Sequence, residues 1–404
     1  MKIGVYFSEL QESDGGVYTF ERDIFRALVE AKSEHEVVII NASDSTPKVP
    51  SDSLHKILNI SGSENGVKKT LSKIFKPWQS IEQQLHITPR PFNRYWPLQR
   101  LVNKNKIELM WFLSGYKYVE VPYVMTVLDL QHRLQPAFPE VNIYGWKWNM
   151  RERLYYTGLK RCALSVAGTE RGREEIMRFY GLNSERVKSI AIPTPSFVLD
   201  ASASTIKHTI PDGVKQPYLF YPAQFWPHKN HIVLLKMLKI LKEEHSLNFS
   251  LVFTGSDKGN LNYIKESAAN LGLKDDVRFF GFVGQSEVVA LYQNAFALVY
   301  PSLFGPDNFP SLEAFALACP VVAGDVPGAM EQLGDDAILV DNLKERAFAD
   351  AVKKLWDEPG LRHKLIEKGR IRARSWTARD YVNRMFSIVD EFAPIRRCWG
   401  ANAD

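Results

Sequence analysis

The chain contains few of the residues that define several protein classes. Among its 404 residues there are three cysteines, Cys162, Cys319 and Cys398. They lie far apart, and no CxxC pair or metal-ligand spacing occurs. This pattern excludes a disulfide framework and a zinc ribbon, and it predicts buried or incidental thiols in a reducing compartment. No apolar run approaches the roughly 18 residues of a membrane span.

An excess of charge of one sign is also missing. The net charge is only +5, which argues against a dedicated nucleic-acid binder. The first ten residues, MKIGVYFSEL, are too few and too polar for a signal peptide and predict the first strand of a sheet. The sequence therefore predicts a cytoplasmic protein whose membrane contact is limited to peripheral binding.

Short apolar runs alternate with helical patterns along the whole chain. Continuous apolar runs are typical of strands that are buried on both faces of a parallel sheet. They lie at residues 2–7, 36–40, 108–113, 123–130, 163–168, 187–193, 218–223, 249–255, 277–282, 296–301, 320–324 and 337–341. The polar stretch at 200–216 is the best linker candidate, because small residues, Pro and Gly dominate it. The sequence thus predicts an α/β protein of two doubly wound parallel-sheet domains, with a ligand in the cleft between them.

Two glycines follow the first predicted strand. Gly15 and Gly16 open a helix in SDGGVYTFERDIF, and glycines at a helix start let the backbone come close to an anion. The pattern is not GxGxxG and lacks the acidic residue of a dinucleotide ribose site, so a Rossmann NAD site is disfavoured. A tight turn without a ligand is the alternative.

A lysine stands where the helix dipole disfavours it. In YPAQFWPHKNHIVLLKMLKIL a strand ends near Pro222 and an amphipathic helix is expected to begin near Lys229. A cation in a first turn is unfavourable unless it faces a bound anion such as a phosphate. The alternative is a solvated surface lysine.

The third motif is the loop and helix in SLFGPDNFPSLEAFALACPVVAG, residues 302–324. The loop is rich in turn-forming residues and offers exposed amides. A helix is expected to begin near Ser311, with Glu313 in its first turn. That carboxylate could accept hydrogen bonds from vicinal hydroxyls such as those of a ribose. The alternative is an acid that only complements the helix dipole.

Together these three motifs resemble family 4 of the retaining glycosyltransferases, which have the GT-B fold. The resemblance is strong over residues 218–341, where PHKN, VFTG, VRFFGFV and PSLEAFALACPVVAG stand in family order. It is weaker in the N-terminal half, where the Gly15–Gly16 turn, TVLDLQH and VAGTERGREEI match. The resemblance implies an acceptor-binding domain at 1–205, a donor-binding domain at 206–380, and a C-terminal helix or tail at 381–404 that returns to the first domain.

The resemblance also implies roles for individual residues. Lys229 would contact the donor diphosphate, Glu313 the ribose, and Gly16 would approach the donor from the other domain. The catalytic candidates are Asp129, Lys229 and Glu313, and His132 is the acceptor-binding candidate. The donor-binding candidates are Gly15, Gly16, Gln224, Lys229, Gly255, Phe282, Val283, Asp307, Asn308, Phe309, Pro310 and Glu313.

Three positions depart from the family pattern. The first of the family's two glutamates falls on Gly305, so Asp307, Asn308 or backbone amides would have to hold the sugar. The arginine that precedes the phosphate lysine falls on Gln224. The family's His-Asp pair falls on Leu128 and Asp129, which leaves Asp129 or His132 as candidates near the reacting sugar.

The implied reaction is transfer of a hexosyl unit, with mannosyl as one candidate, from a nucleoside diphosphate sugar to a hydroxyl of a glycan or lipid-linked glycan. Lys229 and helix N-termini would stabilise the departing diphosphate without a metal, and no paired acidic motif suits a divalent cation, so neither a metal nor a cofactor is expected. The commonest setting of the family is bacterial surface polysaccharide synthesis. A nucleotide-sugar epimerase of the same fold and a non-catalytic nucleotide-sugar or glycan-binding protein are the alternatives. The sequence does not name the sugar, the base or the acceptor.

One stretch, Lys68–Lys106, is basic and rich in aromatic residues. It predicts peripheral contact with an anionic membrane at its inner face, where a lipid-linked acceptor would lie. A solvated insertion and a basic acceptor groove are the alternatives.

Overall fold

A computed structural model describes residues 1–12, 15–42, 55–60, 96–142, 146–206, 209–305 and 307–400. Most of the stretch Lys68–Lys106 lies outside these residues. The strands are β1 Lys2–Phe7, β2 Glu36–Asn41, β3 Lys56–Asn59, β4 Leu109–Phe112, β5 Tyr123–Val127, β6 Leu164–Ala167, β7 Val187–Ser189, β8 Tyr218–Pro222, β9 Ser250–Thr254, β10 Val277–Phe279, β11 Ala297–Tyr300, β12 Val321–Gly324 and β13 Ile338–Val340.

The α-helices of the described residues alternate with these strands. They are α1 Gly16–Glu30, α2 Trp96–Lys104, α3 Gln131–Leu134, α4 Pro139–Asn142, α5 Trp146–Arg161, α6 Glu170–Tyr180, α7 Ser196–Ala203, α8 His231–Glu243, α9 Leu261–Asn270, α10 Gln285–Asn294, α11 Phe309–Ala316, α12 Ala329–Leu333, α13 Glu345–Asp357, α14 Pro359–Ser375 and α15 Ala378–Arg396.

The strands form two sheets, and every pairing is parallel. The first sheet has the order β3-β2-β1-β4-β5-β6-β7 and the second the order β10-β9-β8-β11-β12-β13. Strand order reverses between β1 and β4 in the first sheet and between β8 and β11 in the second. Ligands bind outside the carboxyl ends of the strands at such reversals. The prediction of two doubly wound parallel-sheet units is confirmed.

Strand composition explains why both sheets are covered on two faces. Every residue of β4, β5 and β9 is buried, as are Val37–Ile40 of β2. Continuous burial requires helices on both faces, since alternate side chains of a strand point to opposite sides. The second sheet packs into one hydrophobic core, and the first sheet separates two cores on its opposite faces.

The last helix, α15, packs on the first sheet although it follows the second in sequence. Its Tyr381 side chain stacks on Trp111 of β4, with ring centroids 6.3 Å apart, and meets Phe20 of α1 edge-on at 5.4 Å. Tyr381 and Met385 are buried in the same core as β1 and α1. The chain therefore crosses back from the second sheet to complete the core of the first. The boundaries at 205 and 380 stay predictions.

Candidate active site

The predicted site residues follow the carboxyl ends of strands in both sheets. Gly15 and Gly16 lie after β1, and Asp129 lies after β5. Lys229 lies after β8, and Glu313 lies after β11. The last two therefore flank the strand reversal of the second sheet, and the glycines flank that of the first. The geometry places these elements on the two sides of one cleft.

Lys229 lies in a 3-10 turn and not in a helix. The turn covers Pro227–Lys229, and α8 begins two residues later at His231. The expectation that Lys229 belongs to the first turn of that helix is therefore wrong. Asn230 between them has φ of 53°, a left-handed conformation that breaks the helix and that Asn tolerates better than most residues. The ammonium of Lys229 donates to the hydroxyl of Tyr300 at 2.9 Å, and Tyr221 donates to the Lys229 carbonyl at 2.8 Å.

Glu313 lies in the second turn of α11, because the helix begins at Phe309. The predicted start near Ser311 is wrong by two residues. Pro310 sits at the second helical position, where proline is well tolerated because its missing N–H has no intrahelical partner. The first turn holds no acidic residue, so complementing the dipole does not explain Glu313.

The Glu313 carboxylate is held by a tyrosine. Tyr292 of α10 donates to it at 2.8 Å and contacts the carbonyl of Pro310 at 3.2 Å. Burial raises the pKa of Glu313 to about 7, the Tyr292 hydrogen bond opposes this shift, and the charge of Asp23 across the cleft adds to it. A group that donates hydrogen bonds to this carboxylate would therefore stabilise its ionised form.

Gly16 and Phe309 are in contact across the cleft. A Cβ added at Gly16 would lie 2.8 Å from Cδ2 of Phe309, so only glycine fits at this separation. Phe309 packs against cores of both sheets. Gly15 has φ of 70°, and a Cβ added there would lie 4.0 Å from the amide nitrogen of Gln224. The structure thus brings the glycine turn of the first sheet against Gln224 and the start of α11, which follow strands of the second sheet.

The loop before α11 is shaped by glycine and asparagine. Gly305 has φ of 115°, a conformation that side chains disfavour. Its carbonyl accepts from the Asn308 side chain at 2.9 Å. The main chain of Asn308 exchanges hydrogen bonds with the Gln332 amide at 3.1 and 3.3 Å. Glycine in place of the family's glutamate at position 305 therefore suits the backbone conformation of this turn. The Asn308 side chain is already hydrogen-bonded within the loop.

Asp307 is the loop side chain with unused hydrogen-bonding capacity. Its Oδ2 is buried and has no partner among the described residues. The carboxylate lies against Gly168, where an added Cβ would overlap it. Burial raises the pKa of Asp307 to about 8, and the charges of Asp129 and Glu331 contribute. Of the two side chains that could replace the missing glutamate, Asp307 is the available one.

Asp129 is paired with a cation that the sequence motifs did not include. The guanidinium of Arg151 contacts its carboxylate, and the Gln131 N–H donates to it at 2.9 Å. Burial acts to raise the pKa of Asp129, but Arg151 and this N–H outweigh it and lower the pKa. Asp129 is therefore ionised in the ordinary pH range and faces Asp307 from the opposite domain.

His132 does not reach the cleft surface. Its side chain is fully buried, lies 3.2 Å from Glu152, and is near Trp148 and Tyr155. Burial lowers its pKa, and Arg151 adds to this effect. The ring is therefore not exposed in the cleft of this structure, and the role of His132 toward an acceptor stays a prediction. The position of His132 shortly after a strand did not predict that its side chain would be buried.

The remaining predicted donor residues surround the same strand ends. Gln224 accepts from the indole of Trp226 at 2.9 Å. Gly255 has φ of 135° and an added Cβ would overlap the backbone of Ala223, so this glycine is needed for packing. Phe282 is 59% exposed and Val283 is half-buried, which leaves the Phe282 ring available to a planar base. The roles of all these residues stay predictions.

Three polar partners of the predicted site residues lie outside the sequence motifs: Tyr292, Tyr300 and Arg151. Tyr300 ends β11, so its position at a strand end is a signal that could have found it. Tyr292 and Arg151 lie inside helices, and only three-dimensional packing shows what they contact. No three His, Cys, Asp or Glu side chains of the described ranges converge as metal ligands would. Among the helices described, none is long and apolar enough to cross a membrane.

Comparisons with known proteins agree with this geometry. Residues 204–372 match the model of the family described as Glycosyl transferases group 1. An O-antigen chain mannosyltransferase of Salmonella typhimurium is 26% identical over 203 residues, which are 50% of this chain and 53% of that protein. A D-inositol 3-phosphate glycosyltransferase of Pseudarthrobacter chlorophenolicus is 25% identical over 384 residues, 89% of this chain and 86% of that protein.

A solved structure extends the likeness to the N-terminal half. Anabaena HepE, determined with UDP and glucose, superposes with a TM-score of 0.63 at 14% identity and covers 97% of this chain and 100% of that one. The family match at residues 204–372 spans all six strands of the second sheet. The two parallel sheets give the chain the GT-B fold. The alignment spans about half the length of the Salmonella relative.

Proposed function

We propose that this protein is a retaining glycosyltransferase that moves a hexosyl unit from a nucleoside diphosphate sugar to a hydroxyl of a glycan or lipid-linked glycan. The observation that carries the proposal is that Lys229 and Glu313 follow the two strands that flank the strand reversal, where the Gly15–Gly16 turn meets Gln224 and Phe309. A cation and a hydrogen-bonding carboxylate at that spot suit a diphosphate and a ribose. Mannosyl is the first sugar to test, because the Salmonella relative is named a mannosyltransferase.

To catalyse this reaction, the protein must stabilise the negative charge that develops on the departing diphosphate. Lys229 supplies a cation, and the N-terminus of the eight-residue helix α11 supplies N–H groups and the positive end of a dipole. Asp307 is placed to accept hydrogen bonds from the sugar. The departing phosphate oxygen takes the acceptor proton, as is proposed for the family, so neither a metal nor a cofactor has a part in this scheme.

A panel of UDP and GDP sugars tests the proposal. A matching donor should raise the melting temperature by mass action, and labelled donor should then give transfer or slow hydrolysis. Nuclear magnetic resonance of the product tests retention of the anomeric configuration, and activity in excess EDTA tests metal independence. Binding without turnover would favour a binding protein, and release of an epimerised sugar nucleotide would favour an epimerase.

Membrane contact through Lys68–Lys106 is part of the proposal but has a separate test. Acceptors of O-antigen type would place the protein at the inner face of the bacterial membrane. Flotation with anionic liposomes at low salt should carry the protein upward, and neutral liposomes are the control. Protein that stays at the bottom with both kinds of liposome would remove membrane contact from the proposal and leave the transfer reaction intact.

A further inference from the structure

A second contact across the cleft reaches the turn that carries Lys229. It comes from residues 138–140 of the first domain, which include Phe138 and the beginning of α4. These residues meet His228 and Phe304 of the second domain. None of the family motifs quoted above includes Phe138 or Glu140.

Glu140 binds His228 twice through a single oxygen. Its Oε1 accepts from the backbone N–H of His228 at 3.0 Å and also contacts Nδ1 of the ring. The side chains are only 6% and 12% exposed. A carboxylate that is buried at a domain contact normally needs such partners, because burying an unpaired charge is costly. The Glu140–His228 pair is therefore a buried, specific contact between the two domains, unlike an exposed ion pair on the surface.

Aromatic packing fixes the orientation of the His228 ring. The ring stacks on Phe304 with centroids 4.1 Å apart and planes 12° apart. Phe138 meets Phe304 edge-on at 5.2 Å and His228 edge-on at 6.4 Å. The His228 carbonyl accepts from the Leu303 N–H at 2.9 Å. Through His228 the first domain thus contacts both the 3-10 turn and the loop that holds Leu303 and Phe304 before α11.

The same turn sets the position of Lys229. Lys229 follows His228 directly, and its backbone N–H donates to the Trp226 carbonyl at 3.0 Å. A shift of the His228 backbone would therefore move the ammonium of Lys229 relative to Tyr300, to which it donates. Displacements of about 1 Å at a reacting group can cost about a hundredfold in rate.

We propose that Glu140 is a positioning residue that fixes Lys229 for transfer when the two domains are closed. Its Oε1 holds the backbone and ring of His228, and the turn delivers the lysine to the phosphates. This inference rests on the proposed function, because it takes a diphosphate as the ligand of Lys229. A nucleoside diphosphate can bind the second domain before closure, so the role of Glu140 belongs to turnover more than to nucleotide binding.

The test compares turnover with nucleotide binding in four variants of the full chain: Glu140→Ala, Glu140→Gln, His228→Ala and the double variant Glu140→Ala/His228→Ala. Glu140→Ala should lower kcat about tenfold or more and leave the calorimetric Kd of UDP or GDP within about threefold of wild type. Glu140→Gln keeps an oxygen acceptor and should restore most of kcat. The double variant should be no slower than the slower single variant, because both remove the same contact.

A matched control removes a carboxylate that joins two other segments away from the cleft. Glu244, just after α8, accepts from Arg346 of α13 at 2.8 Å, and Glu244→Ala should keep kcat within about threefold of wild type. Equal losses in Glu244→Ala and Glu140→Ala would overturn the proposal, as would unchanged kcat in Glu140→Ala or additive losses in the double variant. If wild type binds no nucleoside diphosphate, the proposed function fails first and the role of Glu140 fails with it.

Discussion

Two carboxyl groups at the cleft, Glu313 and Asp307, lie in surroundings that oppose their ionisation. Burial raises the pKa of the first to about 7 and of the second to about 8. Functional sites often hold groups whose pKa is shifted in this way, because the fold places them for a ligand at the expense of stability. A substitution at each of these carboxyl groups can distinguish a ligand-binding role from a structural one.

Replacement of Glu313 by Gln should weaken donor binding about tenfold or more, since a charge-assisted hydrogen bond to the ribose is lost. Turnover should fall as well. The measurements are the donor dissociation constant and kcat, with melting temperature as a check on folding. Glu266→Gln on the exposed face of α9 is the control. If Glu313→Gln changes the donor dissociation constant and kcat by less than a factor of two, the glycosyltransferase proposal loses its main support.

Replacement of Asp307 by Asn should stabilise the ligand-free protein at high pH. The folded pKa of Asp307 is raised, so its contribution to stability is complete below the ordinary value near 4 and is lost as pH rises through about 8. Asn stays neutral throughout. One pKa unit corresponds to about 1.4 kcal/mol, so we expect Asp307→Asn to exceed wild type by at least about 1.4 kcal/mol in unfolding free energy at pH 9 and to match it near pH 4. A constant difference at the two pH values would contradict this account.

Lys229→Ala should abolish transfer and weaken nucleoside diphosphate binding, because it removes the cation expected at the phosphates. Lys229 lies in a 3-10 turn before the helix, so the helix dipole does not explain its position. Its hydrogen-bond partner is the neutral hydroxyl of Tyr300, which leaves the charge of the ammonium available to a phosphate. Calorimetry with UDP and GDP is the measurement, and Lys236→Ala on the exposed side of α8 is the control. Near wild-type affinity would remove Lys229 from the phosphate site.

At the scale of elements, the turn between β6 and α6 sets how closely the domains approach. Gly168 sits at this turn, and its missing side chain leaves the space that the Asp307 carboxylate occupies. The neighbouring Thr169 caps α6 by accepting from the Gly172 N–H at 3.0 Å. The turn is therefore fixed by its own helix and cannot easily move away from a larger side chain.

Gly168→Ala should hold the domains apart and lower kcat about tenfold or more. Nucleoside diphosphate affinity should change by less than about threefold, because the residues proposed to bind the nucleotide, Lys229 and Glu313, follow strands of the second sheet. Gly181→Ala is the wrong control, since Gly181 has φ of 66° and would be strained by a side chain. Gly360→Ala, with open space around it, is suitable. Unchanged turnover in Gly168→Ala would show that closure tolerates a methyl group here.

The sequence predicted the presence of strands and helices better than it predicted the residues at which they begin and end. Apolar runs such as that of β9 identify buried strands because burial on both faces leaves no polar positions. The beginnings of α8 and α11 were wrong because backbone conformation at Asn230 and Pro310 decides them, and periodicity does not record φ. The motif sufficed to propose Glu313 as a site residue, whereas the contacts of Tyr292, Arg151 and Glu140 are seen only when distant segments are packed together.

At the scale of the whole molecule, the two halves are joined by more than a linker. Helix α15 returns to the first sheet, where Tyr381 is buried between Trp111 and Phe20. The indole of Trp376, just before this helix, donates to the Ala191 carbonyl at 2.8 Å. The first core is therefore built from both ends of the described chain.

Tyr381→Ala should lower the free energy of unfolding by about 3–5 kcal/mol, the range for removing a large buried aromatic side chain. Chemical unfolding followed by fluorescence is the measurement. Arg384→Ala, an exposed residue on the same helix, is the matched control and should change stability by less than about 0.5 kcal/mol. A loss below about 1 kcal/mol for Tyr381→Ala would mean that α15 adds little to the first core.

The return of α15 also has a consequence for synthesis on the ribosome. Domains generally fold as units in the order in which they emerge, at about 5–20 residues per second. Here the last strand of the first sheet, β7, ends at Ser189, while α15 begins only at Ala378. A nascent chain must therefore keep one face of the first sheet uncovered for roughly 10–40 seconds while the second sheet is made. The second half can finish folding first, and the earliest residues to be translated become the last to be fully buried.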